Sequence, residues 1–523
     1  MSTHPASSSR QKPGSTVASA TGTERWIPAF AGMTFFMVLA ACTVGPDYKR
    51  PTAPIPISYK GDAGKGEASW REARPADAID RGAWWSVFDD PVLDALLRQV
   101  EVSNQNLEAA EAAYRLAAAQ VAEARAAFFP TADIDASAER SRFPGSRPFG
   151  SGVIANSFRA VGSASWIPDV WGRVRTNVAS TVATAQASAG DLAAARLAAQ
   201  GQLATAYMQL RVLDELRRLL EAAVKAYAES LRISQNQYDA GIAAASDVAQ
   251  ARTQLESTRA RAIAVAIRRA QLENAIAVLI GKPPSEVRIE PVAGLPRLPD
   301  IPAGLPSRLL ERRPDIAAAE RRMAAANAEI GFAATAFFPE IILSGESGIA
   351  AADIAKLLSA SSRVWSLGSA LVQTIFDAGA RHAQVEQARA AFERTVALYR
   401  QTVLEALQQV EDQLAALRVL TQQAAALDAA VAAAREAERI IANQYLAGTV
   451  SFTSVVVAQT AALGNAETAL DVRQARLLAA VALIEALGGG WEASQLPSRE
   501  RIKEDAPLNF SPLPPPDALP RPW

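Results

Sequence analysis

The chain of 523 residues is written twice. Asn104 to Pro130 aligns without gaps on Arg313 to Pro339 at an offset of 209, pairing Glu111 with Glu320, Ala117 with Ala326, Phe129 with Phe338 and Pro130 with Pro339. Asp169-Val-Trp-Gly172 answers Asp377-Ala-Gly379 at an offset of 208 for the Asp. Asn236-Gln-Tyr238 with Gly241 answers Asn443-Gln-Tyr445 with Gly448 at 207. Three landmarks on nearly one spacing define a tandem duplication of a unit near 208 residues. Solenoid repeats have periods of roughly 20–50 residues, so this unit is too long for one. The duplication implies pseudo-twofold symmetry within one body.

Each unit runs through the same order of elements. A helix ends at Phe-Phe-Pro, where proline blocks continuation. Two strand-like segments follow. Thr131 to Ser141 alternates, with Ala132, Ile134, Ala136 and Ala138 on one face and Asp133, Asp135, Ser137 and Glu139 on the other. The second segment puts Phe158, Ala160, Ala164 and Trp166 opposite Arg159, Ser163 and Ser165, after a Gly-, Pro- and Ser-rich loop over 144–157. In the second unit, 340–349 and 363–375 play these roles with weaker alternation.

A very long helix comes next. Trp171 to Tyr238 contains no proline, and a helix of that length spans roughly 100 Å. Its second half keeps a 3-4 apolar spacing through Leu203, Ala206, Leu210, Leu213, Leu220, Val224, Tyr227, Leu231 and Tyr238, with Arg217 and Ser234 as exceptions. The return segment repeats it from Val248 and Ala251 to Ile276 and Leu279. Sustained spacing of this kind predicts coiled-coil packing. Gly241 stands where a helix C-cap glycine belongs, and Ser246 or Asp247 is placed to cap the next helix. Residues 171–280 therefore read as an antiparallel hairpin turning near 239–246, and 378–487 as its copy turning near Gly448.

These boundaries divide the chain into a leader (1–41), an N-terminal segment with a first short helix (42–103), a first repeat (104–281), a linker (282–306), a second repeat (307–490) and a tail (491–523). The linker holds seven prolines and excludes a long helix. The tail is Pro-rich and polar, and is expected to be disordered.

Composition narrows the chemistry. Hydrophobic residues make up 50% and aromatics only 6%, so the apolar share is mostly Ala, Leu and Val, which suits closely packed helices. Basic and acidic residues number 53 and 54, which speaks against a general nucleic-acid binder. The two histidines, His4 and His382, and the single cysteine give no His cluster, no disulfide and no catalytic constellation. An enzyme is not expected.

The cysteine is an address. Trp26 to Ala41 is an uncharged, largely apolar run of 16 residues after Arg10, Lys12 and Arg25. It is shorter than the ~20 residues of a transmembrane helix and reads as a signal-peptide core. Leu39-Ala-Ala-Cys42 then resembles a bacterial lipobox, which predicts a covalent lipid on Cys42 and no other cofactor. Thr43, in place of Asp, points to the outer membrane.

Four amphipathic strands per chain cannot close a membrane barrel, whose smallest examples need about eight. An open sheet would leave edges unpaired in lipid. Two readings stand at this point. Several protomers share one barrel, twelve strands for three copies, or a soluble four-stranded sheet caps a helical body. In the first, the hairpins of three chains surround a duct.

The motifs are those of a family. Cys42-Thr-Val-Gly45-Pro46-Asp47-Tyr48-Lys49-Arg50-Pro51 resembles the start of TolC-like outer-membrane factors of the lipoprotein (NodT-type) branch. So do Leu305-Pro-Ser-Arg-Leu-Leu-Glu-Arg-Arg313-Pro314-Asp315-Ile316, Ala336-Phe-Phe-Pro339, Pro168-Asp169-Val-Trp171-Gly172-Arg173 and Leu487-Gly488-Gly489-Gly490-Trp491. The resemblance covers residues 42–492. It implies an α+β fold in which long antiparallel helical hairpins form a periplasmic α-barrel and four strands per protomer enter a trimeric transmembrane β-barrel. It implies a homotrimer in outer-membrane lipid, a periplasmic adaptor, and an inner-membrane transporter of the resistance–nodulation–division type.

The resemblance also carries site residues. Adaptors would dock on the hairpin turns Ala240-Gly241-Ile242 and Ala447-Gly448-Thr449-Val450. Relatives often carry an Asp nine residues after the second glycine and an Arg three further on. Here those positions are Val457 and Thr460, a departure that puts an acidic gate in doubt. A ring of Val456 or Val457 could close the duct by dewetting instead. Asp247 is the nearby acid on the first hairpin, and a helix-start role suits it better than a gate. Elsewhere, Trp84-Trp85 reads as a packing anchor and Glu311-Arg312-Arg313 as solvated or interfacial ion pairs. The functional reading is a passive efflux duct. The alternatives are a type I protein-secretion duct and a lipid-anchored periplasmic scaffold.

Overall fold

The computed structural model describes residues 44–56, 58–60, 83–143, 153–299, 301 and 306–511. In chain order it forms α1 (Pro91–Ser103), α2 (Gln105–Ala126), β1 (Thr131–Phe143), β2 (Val153–Trp166), α3 (Arg173–Asp239) and α4 (Ala245–Leu279). The second half adds α5 (Leu309–Arg312), α6 (Pro314–Thr335), β3 (Glu340–Ala351), β4 (Arg363–Val372), α7 (Ala380–Leu446), α8 (Phe452–Ala486) and α9 (Arg499–Asp505). The duplication is visible in helix length. α2 and α6 have 22 residues each, α3 and α7 have 67, and α4 and α8 have 35.

Both long helices start two residues later than expected, at Arg173 and Ala380 rather than 171 and 378, and for one reason. Gly172 and Gly379 take left-handed φ of 82° and 88°, and an upstream aspartate caps the helix that follows. Asp169 accepts from the amides of Val174 (2.8 Å) and Arg175 (3.0 Å), and Asp377 from those of Gly379 (3.1 Å) and Arg381 (3.2 Å). The Asp-to-Gly motif is thus a helix-start device, used twice.

The short and medium helices stack end to end. α4 ends where α2 begins, and Asn104 seals the joint: its side-chain amide donates to the Leu279 carbonyl (2.7 Å) and its oxygen caps the amides of Asn106 and Leu107. α8 meets α6 in the same way. There Arg313 donates to the Ala486 carbonyl (2.9 Å), the counterpart of Leu279, and grips both carboxylate oxygens of Asp315. The Arg313 side chain is buried and ion-paired with Asp315, so of the two readings of this charge run, solvated or interfacial, the solvated one does not hold for it. Each half is therefore one continuous long helix beside one two-piece helix.

The core lies around these joints. Trp84 and Trp85 are buried with Leu93, Leu97, Tyr207 and Ile484, the anchoring role expected of the Trp pair. The 3-4 positions of α3 and α4 face this core and its continuation, with Leu203, Leu210, Leu220, Tyr227, Leu255 and Val265 buried. Among its described residues the linker holds only 3-10 turns, Pro284–Glu286 and the start of Pro306–Arg308.

Residues 44–56 and 58–60 lie as a strap over α6 and α7. Gly45 lies so close to Gly331 that a Cβ on it would sit 2.7 Å from the Gly331 Cα. Further along, the Pro46 carbonyl accepts from Asn327 (2.9 Å), the Tyr48 hydroxyl donates to Glu320 (2.6 Å), and the Lys60 amide donates to Glu411 (2.8 Å). The tail departs from expectation in its described part. Arg499–Asp505 is helical because Ser498 caps it and Ile502 is buried against Ala117, Val121, Val178 and Val182. Residues 512–523, like the leader and Cys42, lie outside the described residues.

Candidate functional site

The four strands form one antiparallel sheet in the order β1-β2-β3-β4, and the β2–β3 pair joins the two halves. Its register sorts the side chains. Ile134, Gly162, Ser347 and Trp365 fall in one row, and Ala132, Ala164, Gly345 and Leu367 in another on the same face. The opposite face carries the row Asp133, Ser163, Glu346 and Ser366, with Arg159 ion-paired to Glu346. Around these rows one face is mainly apolar, with Arg140, Arg142 and Arg363 away from its centre, and the other is mainly charged and hydroxylated.

The apolar face is open. Ile134, Trp365 and Leu367 are 89%, 76% and 81% exposed. The outer edges of β1 and β4 have no strand partner among the described residues. A sheet capping a soluble body would cover its apolar face, and an open apolar edge in water invites aggregation. Strands of 10 to 14 residues match the ~10 that a tilted strand needs to cross a bilayer. Apolar outside, polar inside and edges awaiting partners is the pattern of one sector of a transmembrane barrel wall.

At the far end of the long helices the two turns are near copies. After α3, the Gly241 amide donates to the Tyr238 carbonyl and the Ile242 amide to Gln237, both at 2.8 Å. After α7, Gly448 donates to Tyr445 (2.9 Å) and Thr449 to Gln444 (3.0 Å). These are Schellman caps, and both glycines sit at φ 74°. A Cβ on either would meet nothing within 4 Å, so conformation alone requires glycine here and the space beside it is free. Replacing Gly448 by Ala is expected to cost about 1–2 kcal/mol through left-handed strain alone, seen as a lower denaturant midpoint.

The candidate residues separate by position. Ala240, Gly241, Ile242, Ala447, Gly448 and Thr449 are exposed, and Val450 is half-buried. Val456 packs against the tip cluster of Ala251, Phe452 and Val455, whereas Val457 is 64% exposed. Of the pair, only Val457 is largely exposed. Neither Ser246 nor Asp247 caps α4. Ala244 occupies that position, and Asp247 lies in the first turn, where a carboxylate favours the helix dipole.

Sequence reasoning missed the ties between the two hairpins. Gln459 is buried, donates to the Ser230 hydroxyl (3.0 Å), and offers its carbonyl to the Tyr227 hydroxyl (3.3 Å). Ser234, fully buried, lies 3.4 Å from the Tyr445 hydroxyl, and Thr460 accepts from Gln254 at 3.3 Å. Ser234 had a signal: it is a polar residue at an apolar position of the 3-4 spacing.

Comparison with known proteins agrees with this geometry. The family model described as outer membrane efflux protein matches residues 96–282 and 305–489, one match per half. The chain is 31% identical over 458 residues to the probable efflux pump outer membrane protein TtgC of Pseudomonas putida, spanning 87% of this chain and 94% of that one. It is 32% identical over 483 residues to the outer membrane protein OprJ of Pseudomonas aeruginosa, spanning 89% and 97%. Among solved structures it superposes on the outer-membrane channel OprN with a TM-score of 0.78 at 30% identity, covering 86% of this chain and all of that one. With both halves matched and full-length relatives above 30% identity, the chain belongs to the outer membrane efflux protein family.

Proposed function

We propose that the chain is the outer-membrane exit duct of a tripartite efflux system. Three copies share a twelve-stranded barrel and conduct passively what an inner-membrane transporter, of the resistance–nodulation–division type, delivers through a periplasmic adaptor. The sheet carries this reading, because its apolar face, polar face and two free edges are satisfied together when copies close a barrel in lipid.

A lipid on Cys42 fits the same arrangement. The Val44 amide donates to the Trp171 carbonyl (3.3 Å), and the Trp171 indole donates to the Pro339 carbonyl (2.7 Å) at the base of β3. Val44, the first described residue after the lipidation position, is thereby held near the level where the sheet meets the helices. The adaptor docks on the exposed turns at Gly241 and Gly448, where the lack of a Cβ allows close backbone approach.

Closure falls to Val457. A ring of three valines narrows the duct and dewets it. Val457→Ser is expected to raise single-channel conductance in planar bilayers, while Val456→Ser lowers stability and leaves conductance alone. The function itself is tested by photocrosslinking in cells from Thr449, with mass spectrometry of the adducts. Capture of an adaptor together with a pump transporter supports the reading. A secretion transporter in the same adducts would overturn efflux, and a monomer on extraction would overturn the shared barrel.

A further inference from the structure

The two joints between stacked helices do one job with different chemistry, and the difference leaves a residue unexplained. Asn104 in the first half and Arg313 in the second donate to equivalent carbonyls, Leu279 and Ala486. The first joint therefore closes with neutral groups alone. At the second, every Arg313 nitrogen has a partner: Nε and one Nη bind Asp315, and the other Nη binds Gln409 and Ala486. That ion pair is complete in itself.

Glu485, on the last turn of α8, is left over. The equivalent position of α4 is the exposed Val278, so the joint does not need a carboxylate there. The Glu485 side chain is folded against α3 at Gly201, where any Cβ would collide with it. Its carboxylate accepts no hydrogen bond from the described residues. Burial pushes its carboxyl up to about 7, and the nearby Arg313 pulls the other way without restoring an ordinary value.

This carboxylate opens into a cavity of about 430 Å³ at the joint. Leu197 and the alanines of α3 and α8 make its apolar wall. Its charged groups are Glu485 from α8 and the already paired Arg313 and Asp315 from the start of α6. α7 contributes the neutral amides of Gln409 and Gln413, and α3 contributes no charge. The unbalanced charge of the cavity is negative, and its volume is that of a small-molecule site.

We propose that this cavity binds a small organic cation, an ammonium on an apolar frame, with Glu485 as its counter-ion. The apolar wall takes the frame, the glutamine amides flank it, and the ammonium supplies the hydrogen bonds that Glu485 lacks.

The test is calorimetric titration of the full-length protein in detergent with benzylamine at about pH 8, with benzyl alcohol as its neutral counterpart. Saturable binding of one benzylamine per chain is expected, with benzyl alcohol much weaker. Glu485→Gln should weaken benzylamine at least tenfold. Acidification of the unmodified protein to about pH 6 should weaken it about tenfold, as the carboxylate takes up its proton. Equal binding of the alcohol, no saturable amine binding, or an affinity blind to this pH change would each overturn the proposal. The pH series needs no variant and decides the matter even if Glu485→Gln fails to fold. Channel activity stands or falls separately, because the cavity lies far along the chain from the turns and from the sheet.

Discussion

A Leu367→Arg protein is expected to be absent from the outer membrane as an assembled oligomer. Leu367 lies at the centre of β4, exposed on the apolar face in the row of Ala132, Ala164 and Gly345. Arginine on the lipid face of a barrel costs about 2–4 kcal/mol at the bilayer midplane, and a trimer carries it three times, so roughly 6–12 kcal/mol in all. Ser366→Arg is the control. It sits one residue away on the other face, directly across from Glu346. An arginine there shares Glu346 with Arg159 but points into a wet lumen that solvates it, and so costs little. Membrane fractionation with gels that keep oligomers intact reads both variants. Equal loss at the two positions would mean that the face assignment, and with it the barrel, is wrong.

The two faces were legible because alternation needs only the strand period, and β1 shows it in eight consecutive residues, 132–139. The halves were legible because Phe-Phe-Pro, the Asp-to-Gly helix start and the Gly241/Gly448 turns are backbone devices that tolerate few residue types. Positions decided by tertiary contact were not legible. α8 is apolar around much of its circumference, so spacing alone could not say whether Val456 or Val457 turns toward the first hairpin. Ala251 settles it by packing with Phe452 and Val455. The helix at 499–505 has one apolar residue, Ile502, and no periodicity to find. Its order comes from α2 and α3, and from Tyr114 and Gln186, which bond Asp505 and the Pro497 carbonyl. Arg313 read as a solvated or interfacial ion pair because a Glu-Arg-Arg run on its own carries no sign of burial. Only the stacking of α8 on α6 buries it.

That burial makes Arg313→Ala the most damaging single change expected in the helical body. The substitution strips Asp315 of both its charged hydrogen bonds and leaves the Ala486 carbonyl and Gln409 without their donor. Breaking a fully buried ion pair from one side costs about 3–5 kcal/mol, and because the Asp315 side chain is 37% exposed the cost here falls to about 2–3 kcal/mol. The first half supplies the repair, since its equivalents of Arg313 and Asp315 are Asn104 and Asn106. In the double variant Arg313→Asn, Asp315→Asn no charge is stranded, and an asparagine side chain can reach the carbonyl of the stacked helix as Asn104 does. Its cost should reduce to the volume lost with the guanidinium, about 1–2 kcal/mol. Arg313→Asn alone should fall between, because Asp315 stays charged and unpaired. Glu485 also loses its neighbouring cation in all three variants. Denaturant midpoints are therefore best compared near pH 6, where that carboxyl is mostly protonated and drops out of the difference. If the double variant is as unstable as Arg313→Ala, the two joints are not equivalent, and the second depends on its charge for more than closure.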